Sequence, residues 1–252
     1  MKMKDLFRSL LCSSLILAAA APAIADERGD KALQELDKSM TAAPKQYFIF
    51  DLITKDPGKE PKKFTYKVYL KGSDSRRIEF LEPGDQRGFK VLLTGDLMYT
   101  YLPAFNKVRR VAGHVRDQGF MGTAYSYDEI SIVVYAPVFE GKFISETDKT
   151  ITVEATRRPG KEGAFRFPKL VFVLDKTHHQ PLEIAYYNEQ GEKVKTETRS
   201  QYDCRGNFCN PKLMKMVDHG RNNVESLMIR KEWIPNPQVD EDLFTVRSLQ
   251  KR

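Results

Sequence analysis

The chain has 252 residues, of which 41% are hydrophobic and 30% charged, the balance of an ordinary globular protein with one large or two small domains. That balance excludes disorder along the whole length and a membrane protein with many spans. Three cysteines are too few for a disulfide-stapled miniprotein, and four histidines, none in metal-ligand spacing, leave little material for a histidine-rich metal site.

Residues 1–25 have the pattern of a cleavable secretory signal. Lys2, Lys4 and Arg8 give a basic start, Leu10 to Ala21 are apolar or small, and Ala23-Ile24-Ala25 supplies the small-x-small cleavage pattern, with Asp26 the first mature residue. The apolar run is about 12 residues, against the roughly 20 of a membrane-spanning helix. Cys12 sits early in that run behind the bulky Leu11, which does not suit lipidation. The expected product is a periplasmic domain of residues 26–252. Loss of the signal removes three basic and one acidic residue, leaving 38 basic against 33 acidic, or +5. Such a mild excess is no nucleic-acid footprint, although an anionic lipid or acidic partner remains compatible with it.

Cys204 and Cys209 remain in the mature chain, in the order C-R-G-N-F-C. The Gly-Asn pair between them reads as a hairpin tip that a disulfide would close, contributing about 2 kcal/mol in the loop-entropy model. A redox motif would have two intervening residues, and a zinc site would need two further ligands.

In chain order, Asp26 to Thr41 reads as an amphipathic helix, with Leu33, Leu36 and Met40 at i, i+3 and i+7, ended by Pro44. Strands follow. Phe64, Tyr66, Val68 and Leu70 alternate with more polar neighbours, as do Ile151, Val153 and Ala155, and then Leu182, Ile184 and Tyr186. Residues 47–53 and 170–174 are apolar at both parities and predict cover on both faces. Turn signals such as Asp56-Pro57-Gly58, Gly72-Ser73-Asp74, Glu82-Pro83-Gly84, Gly95-Asp96, Arg158-Pro159-Gly160 and Gly206-Asn207 divide the chain mostly every 10–20 residues, as a meander of hairpins does. Roughly eleven to thirteen strands are expected. With no linker or internal repeat, one curved antiparallel sheet is the economical fold. A sheet that large tends to curl around apolar space, which the helix could plug.

The pattern changes in the middle. Leu97 to Leu102 reads as a strand and Lys107 to Val111 as a basic one. Beyond Gly113, Phe120 and Met121 stand between Gly119 and Gly122, and Tyr125, Tyr127 and Ile130 lead into a short helical stretch. Bulky apolar residues on a glycine-bounded loop suit an apolar ligand site or a lid, or they pack on the sheet as large apolar residues mostly do.

This stretch resembles the LolA-like outer-membrane lipoprotein-sorting family. The matching residues are Tyr101-Leu102-Pro103, Val108-Arg109-Arg110, then Gly113, Arg116, Phe120-Met121-Gly122, and Tyr127-Asp128-Glu129. The closing residues DEDLFTVRSLQKR are similar to the ending of that family. The resemblance implies an incompletely closed antiparallel β-barrel with a helical lid over an apolar cavity. It also implies binding of acyl chains of a lipoprotein or lipid in the periplasm, and an RND-type inner-membrane transporter as partner. On it, Tyr99, Tyr101, Leu102, Phe120, Met121, Tyr125, Tyr127 and Ile130 are the candidate ligand contacts. Lys107, Arg109, Arg110 and Arg116 are candidates for a headgroup or partner, or else the solvated face of an edge strand.

No signature of an enzyme accompanies these residues. The sequence lacks a G-x-S-x-G elbow, an H-E-x-x-H pair and a phosphate-binding loop. His178 and His179 are adjacent and would point apart on a strand, and no cofactor or metal is expected. The alternative to a carrier is a periplasmic adaptor with a solid core whose basic face docks a membrane complex. A void between the apolar faces discriminates the two.

Overall fold

A computed structural model of the chain describes residues 26–113, 119–206 and 208–251. The signal reading of residues 1–25 and the candidate Arg116 lie outside the described residues. The helix expected near the N-terminus is α1, Glu27–Met40. Asp26 caps it, its carboxylate accepting from the Arg28 and Gly29 amides, which are two of the donors that a helix start leaves unsatisfied. Leu33 and Leu36 are fully buried, and Met40 packs at the edge of the core.

Thirteen antiparallel strands form one sheet: β1 (Lys45–Lys55), β2 (Lys62–Lys71), β3 (Ser75–Glu82), β4 (Lys90–Thr94), β5 (Leu97–Leu102), β6 (Lys107–Arg110), β7 (Phe139–Glu146), β8 (Thr150–Arg157), β9 (Lys169–Asp175), β10 (Pro181–Tyr187), β11 (Lys193–Arg205), β12 (Phe208–Asp218) and β13 (Val224–Pro235). The spatial order runs β6 to β1, then β13 to β7. Two meanders therefore meet at a seam, where β1 and β13 pair from Gln46↔Pro235 to Lys55↔Glu225. The sheet is not closed, since β6 and β7 are its two edges.

The period-two pattern gives the burial. Phe48, Phe50 and Leu52 of β1 and Phe64, Tyr66 and Val68 of β2 point into the core, joined by Phe80, Val153, Phe172, Ile184 and Tyr186 from neighbouring strands. Aromatic pairs link them across strands, among them Phe50–Tyr66 at 5.8 Å and Tyr66–Phe80 at 5.6 Å between ring centroids. The expected double cover of β1 and β9 holds on one face only. Tyr47, Ile49, Val171 and Val173 are half-buried, shielded in part by neighbours along the sheet such as Tyr69, 5.0 Å from Tyr47. On this convex face the C-terminal segment covers β3 to β5, with Phe244 and Leu249 buried. Arg77 donates to the Leu243 carbonyl and to Ser248 Oγ, and Lys90 to the Leu249 and Lys251 carbonyls.

The helix is seated by close backbone approach as much as by its leucines. A Cβ on Gly29 would lie 2.4 Å from the Gly141 carbonyl carbon of β7, and one on Gly141 would lie 2.3 Å from the Gly29 oxygen. Three aspartates on the same face, at i, i+4 and i+11, accept backbone amides. Asp26 takes Phe143 N at 2.6 Å and Asp30 takes Gly141 N at 2.7 Å. Asp37 takes Tyr135 N and Ala136 N at 2.6 and 2.8 Å. Burial pushes the Asp37 carboxyl up from 3.8 to about 6, against the pull of those two amides.

Two outcomes follow. Gly29→Ala, which would add about 1 kcal/mol in a free helix interior, is expected to destabilise by about 1–3 kcal/mol here because no flexible atom can yield. Gly141→Ala should do the same, and an unchanged denaturation midpoint in either variant would unseat the helix from β7. Because folding raises the Asp37 pKa, the native state holds that proton more tightly than the unfolded chain. The stabilisation is complete below pH 4 and lost as pH rises through about 6. Wild type should lose stability relative to Asp37→Asn over that window. A relative gain would mean that the amides keep the carboxylate ionised throughout.

Candidate ligand cavity

β6 and β7 stand at opposite edges of the strand order, and the described residues 119–138 between them cross the hollow of the sheet, with Phe120, Tyr125, Ile130 and Tyr135 joining the core. This crossing segment has little regular structure. Phe120–Gly122 form one 3-10 turn, and Gly119 bridges Ser126. The expected helical stretch after Tyr125 is instead a set of turns, with Ile130 N donating to the Ser126 carbonyl and Ile132 N to that of Asp128.

Polar anchors hold the crossing to the sheet. Lys195 of β11 donates to both Glu129 oxygens at 2.9 Å and to the Ala124 carbonyl at 2.8 Å. The Glu129 side chain is 0% exposed and that of Lys195 7%. Burial pushes the Glu129 carboxyl above its ordinary value, while the Lys195 ammonium and the Ser126 amide favour its charge. Ala124 N donates to Ser226 Oγ of β13, and Arg221 to the Thr123 carbonyl.

Beneath the crossing lies a cavity of about 130 Å³. Its apolar walls come from Phe48, Phe50, Val68, Ile78 and three methionines, Met40, Met214 and Met228. Methionine side chains re-pack readily around a changing shape. Set into this lining are Arg76, Glu129, Glu197, Arg199, Tyr66 and Tyr125. Both oxygens of Glu197 are engaged: Arg199 Nε donates to one and Tyr186 Oη to the other, both at 2.8 Å.

Of the candidate ligand residues, Tyr125 and Ile130 line the cavity. Phe120 is 0% exposed, packed between Phe80 at 5.6 Å and Tyr127 at 5.0 Å, so of the two readings of this loop the one in which Phe120 packs on the sheet describes it: the ring fastens the crossing into the core. Met121 is half-buried beside it. Leu102 packs at the margin of the core. Tyr99 and Tyr101 have the parity opposite to buried Met98, and the Lys90 ammonium that enters the C-terminal segment lies 5.2 Å from the Tyr101 ring. They therefore lie on the convex face, away from the cavity. Lys107, Arg109 and Arg110 are exposed on edge strand β6, and Arg110 also borders a larger open groove of about 630 Å³ under the crossing.

Cys204 and Cys209 are directly paired in the β11–β12 hairpin and joined by a disulfide, as the sequence predicts. Cys209, with Asn210 and Pro211 behind it, lines the cavity, so the bridge braces a wall of the site. His178 lies within 4.8 Å of both sulfurs, but sulfurs bonded to each other offer no thiolate to a metal.

Sequence reasoning passed over Arg76, Lys195, Glu197 and Arg199. The signal was present. Arg76 shares the parity of the buried Ile78 and Phe80, and Lys195, Glu197 and Arg199 occupy one inward row of β11. Charge at a core-facing parity marks a polar function inside a sheet. Lys195→Met is expected to lower stability by about 3–5 kcal/mol by stranding the Glu129 carboxylate. Adding Glu129→Gln should recover much of that loss in denaturant titrations. No recovery would mean that the pair is not what holds the crossing.

A family model described as an uncharacterized protein matches residues 72–251. Among curated proteins none matches the sequence. Solved structures with this fold include a proposed outer-membrane lipoprotein-sorting domain from Vibrio parahaemolyticus, with 20% identity, a TM-score of 0.80 and 89% of this chain and 99% of that chain covered. A DUF1329 family protein from Desulfovibrio piger matches with 20% identity, a TM-score of 0.82 and the same coverage. A LolA superfamily protein from Nitrosomonas europaea matches with 15% identity and a TM-score of 0.72 over 87% of this chain and 98% of that one.

Proposed function

We propose that this protein is a non-enzymatic carrier of acyl chains: the chain belongs to the family matched over residues 72–251, has the fold of the lipoprotein-sorting structures, and holds an apolar cavity under its crossing segment. The cavity is the observation that carries the reading. An adaptor needs only a packed core and a docking face, whereas apolar walls that include three methionines suit a guest of variable shape.

The cargo in this reading is a lipid or the acyl chains of a lipoprotein. Burial of each CH₂ is worth about 0.8 kcal/mol, which provides the affinity without any bond being made. At about 130 Å³ the cavity compares with the roughly 150 Å³ engineered cavity that takes up benzene, so a long acyl chain fits only when the walls give way. The crossing segment is the part to yield, because side-chain anchors rather than strand pairing hold it to the sheet.

Residues 1–25 would direct export to the periplasm. Cleavage after Ala25 would leave Asp26 in place to cap α1. Among the described residues no helix is long and apolar enough to cross a membrane. Cargo exchange then takes place against a membrane or membrane protein, with an RND-type transporter the partner implied by the family resemblance. Lys107, Arg109 and Arg110, with the exposed Phe105 beside them, offer the contact surface.

Native mass spectrometry on protein purified without detergent tests the proposal. Extra mass that organic solvent releases as lipid supports it, and Met214→Trp, which fills the cavity, should carry at least several-fold less. A folded wild type that stays free of lipid after incubation with membranes would overturn it.

A further inference from the structure

Adjacent arginines of β3 have opposite surroundings. Arg77, on the convex face, donates to the C-terminal segment and lies 3.6 Å from Glu79. Arg76, on the concave face, lines the cavity. Arg76 is half-buried, its Nε is shielded from solvent with no hydrogen-bond partner, and among the described residues no carboxylate or carbonyl binds its guanidinium; Arg77, whose Nε is also unpartnered, has its terminal nitrogens bound.

The carboxylates of the cavity are already taken. Glu197 is bound by Arg199 and Tyr186, and Glu129 by Lys195 and the Ser126 amide. Two further buried atoms without partners, Tyr125 Oη and Asn210 Oδ1, belong to residues lining the same cavity. Buried polar groups are nearly always paired, and a half-buried guanidinium that lines a cavity without a counterion is free to take an anion. A protein that needed only an apolar cavity would place a leucine at position 76, where the parity of Ile78 and Phe80 calls for one.

We infer that Arg76 is the receptor for an anionic group at the head of the acyl cargo, a carboxylate or a phosphate, with the Tyr125 hydroxyl as a second donor. This rests on the carrier reading and specifies its ligand. A guanidinium offers five donors in a planar fork that matches either anion, and such charge-assisted bonds are roughly twice as strong as neutral ones. Burial, with the nearby Arg199, lowers the Arg76 pKa to about 10, which leaves it charged at neutral pH. The apolar walls take the chain and Arg76 fixes which end enters, so the site distinguishes an anionic amphiphile from a neutral one of the same length.

The test is a binding titration of the delipidated full mature chain with oleate, oleoyl lysophosphatidate, oleyl alcohol and inorganic phosphate. Wild type should bind at least one of the two anionic amphiphiles roughly ten- to a hundredfold more tightly than the alcohol. Arg76→Gln should abolish that preference while leaving alcohol binding within about twofold. Arg76→Lys should keep part of it, since charge remains but the fork is lost. The thermal midpoint of Arg76→Gln should hold or rise, because no protein bond is removed; a structural arginine would lower it. Equal binding of oleate, lysophosphatidate and alcohol to wild type would overturn the inference and spare the carrier reading. Phosphate binding as tightly as the amphiphiles would make this a free-anion site and overturn the assignment to a lipid head. Binding of no amphiphile at all would overturn both readings.

Discussion

The two edges of the sheet stand at opposite ends of its strand order, yet they are consecutive in the chain. The described residues 119–138 that lie between β6 and β7 cross the concave face, and a sheet that curls around such a segment leaves a cavity against part of it. Strand pairing satisfies the backbone of the sheet, whereas the described part of the crossing relies on turns, one bridge between Gly119 and Ser126, and borrowed side chains. Lys195, Ser226, Arg221 and Asp37 each supply partners to its carbonyls, amides or buried carboxylate. The cavity, its cover and the buried charges that fasten the cover all descend from this one feature of topology.

The helix solves a second problem of an open sheet. An exposed edge strand offers its amides to any passing strand. Here Asp26 and Asp30 take the Phe143 and Gly141 amides of β7, and the paired glycines let the helix lie close enough for these bonds to form. The other edge, β6, is protected differently, by its short length and by Lys107, Arg109 and Arg110. The same charges that keep that edge solvated are available to an acidic partner surface, so protection and recognition need not compete.

Much of this was legible in the sequence because sheets are written in alternation. The helix runs Glu27–Met40 against the expected Asp26 to Thr41, with those two end residues as its caps, since the apolar spacing of Leu33, Leu36 and Met40 marks one buried face. The hairpin of Cys204 and Cys209 was readable from Gly206 and the short spacing. The cavity contacts were less legible. Between its flanking glycines Phe120 could be read as a ligand contact or as core, and only the core it packs onto, which no local pattern reveals, decides between them. Tyr99 and Tyr101 belong to the motif by sequence and to the opposite face by parity. The inward charges of β3 and β11 were visible as breaks in an apolar register. Their meaning depended on which strands face each other across the hollow, and that is set by the seam.

The seam has a consequence for biogenesis. Strand β1, among the earliest elements synthesised, finds one of its two neighbours only in β13, so pairs such as Gln46↔Pro235 join residues nearly two hundred positions apart. Contacts of such long range slow folding. Until the last strand arrives, β1 and its phenylalanines form an open edge beside a half-built sheet, a species open to association with other chains. The unfinished protein is thus vulnerable from the emergence of β1 to that of β13. A holding chaperone that shields apolar strands would be of most use to it between the emergence of β1 and that of β13.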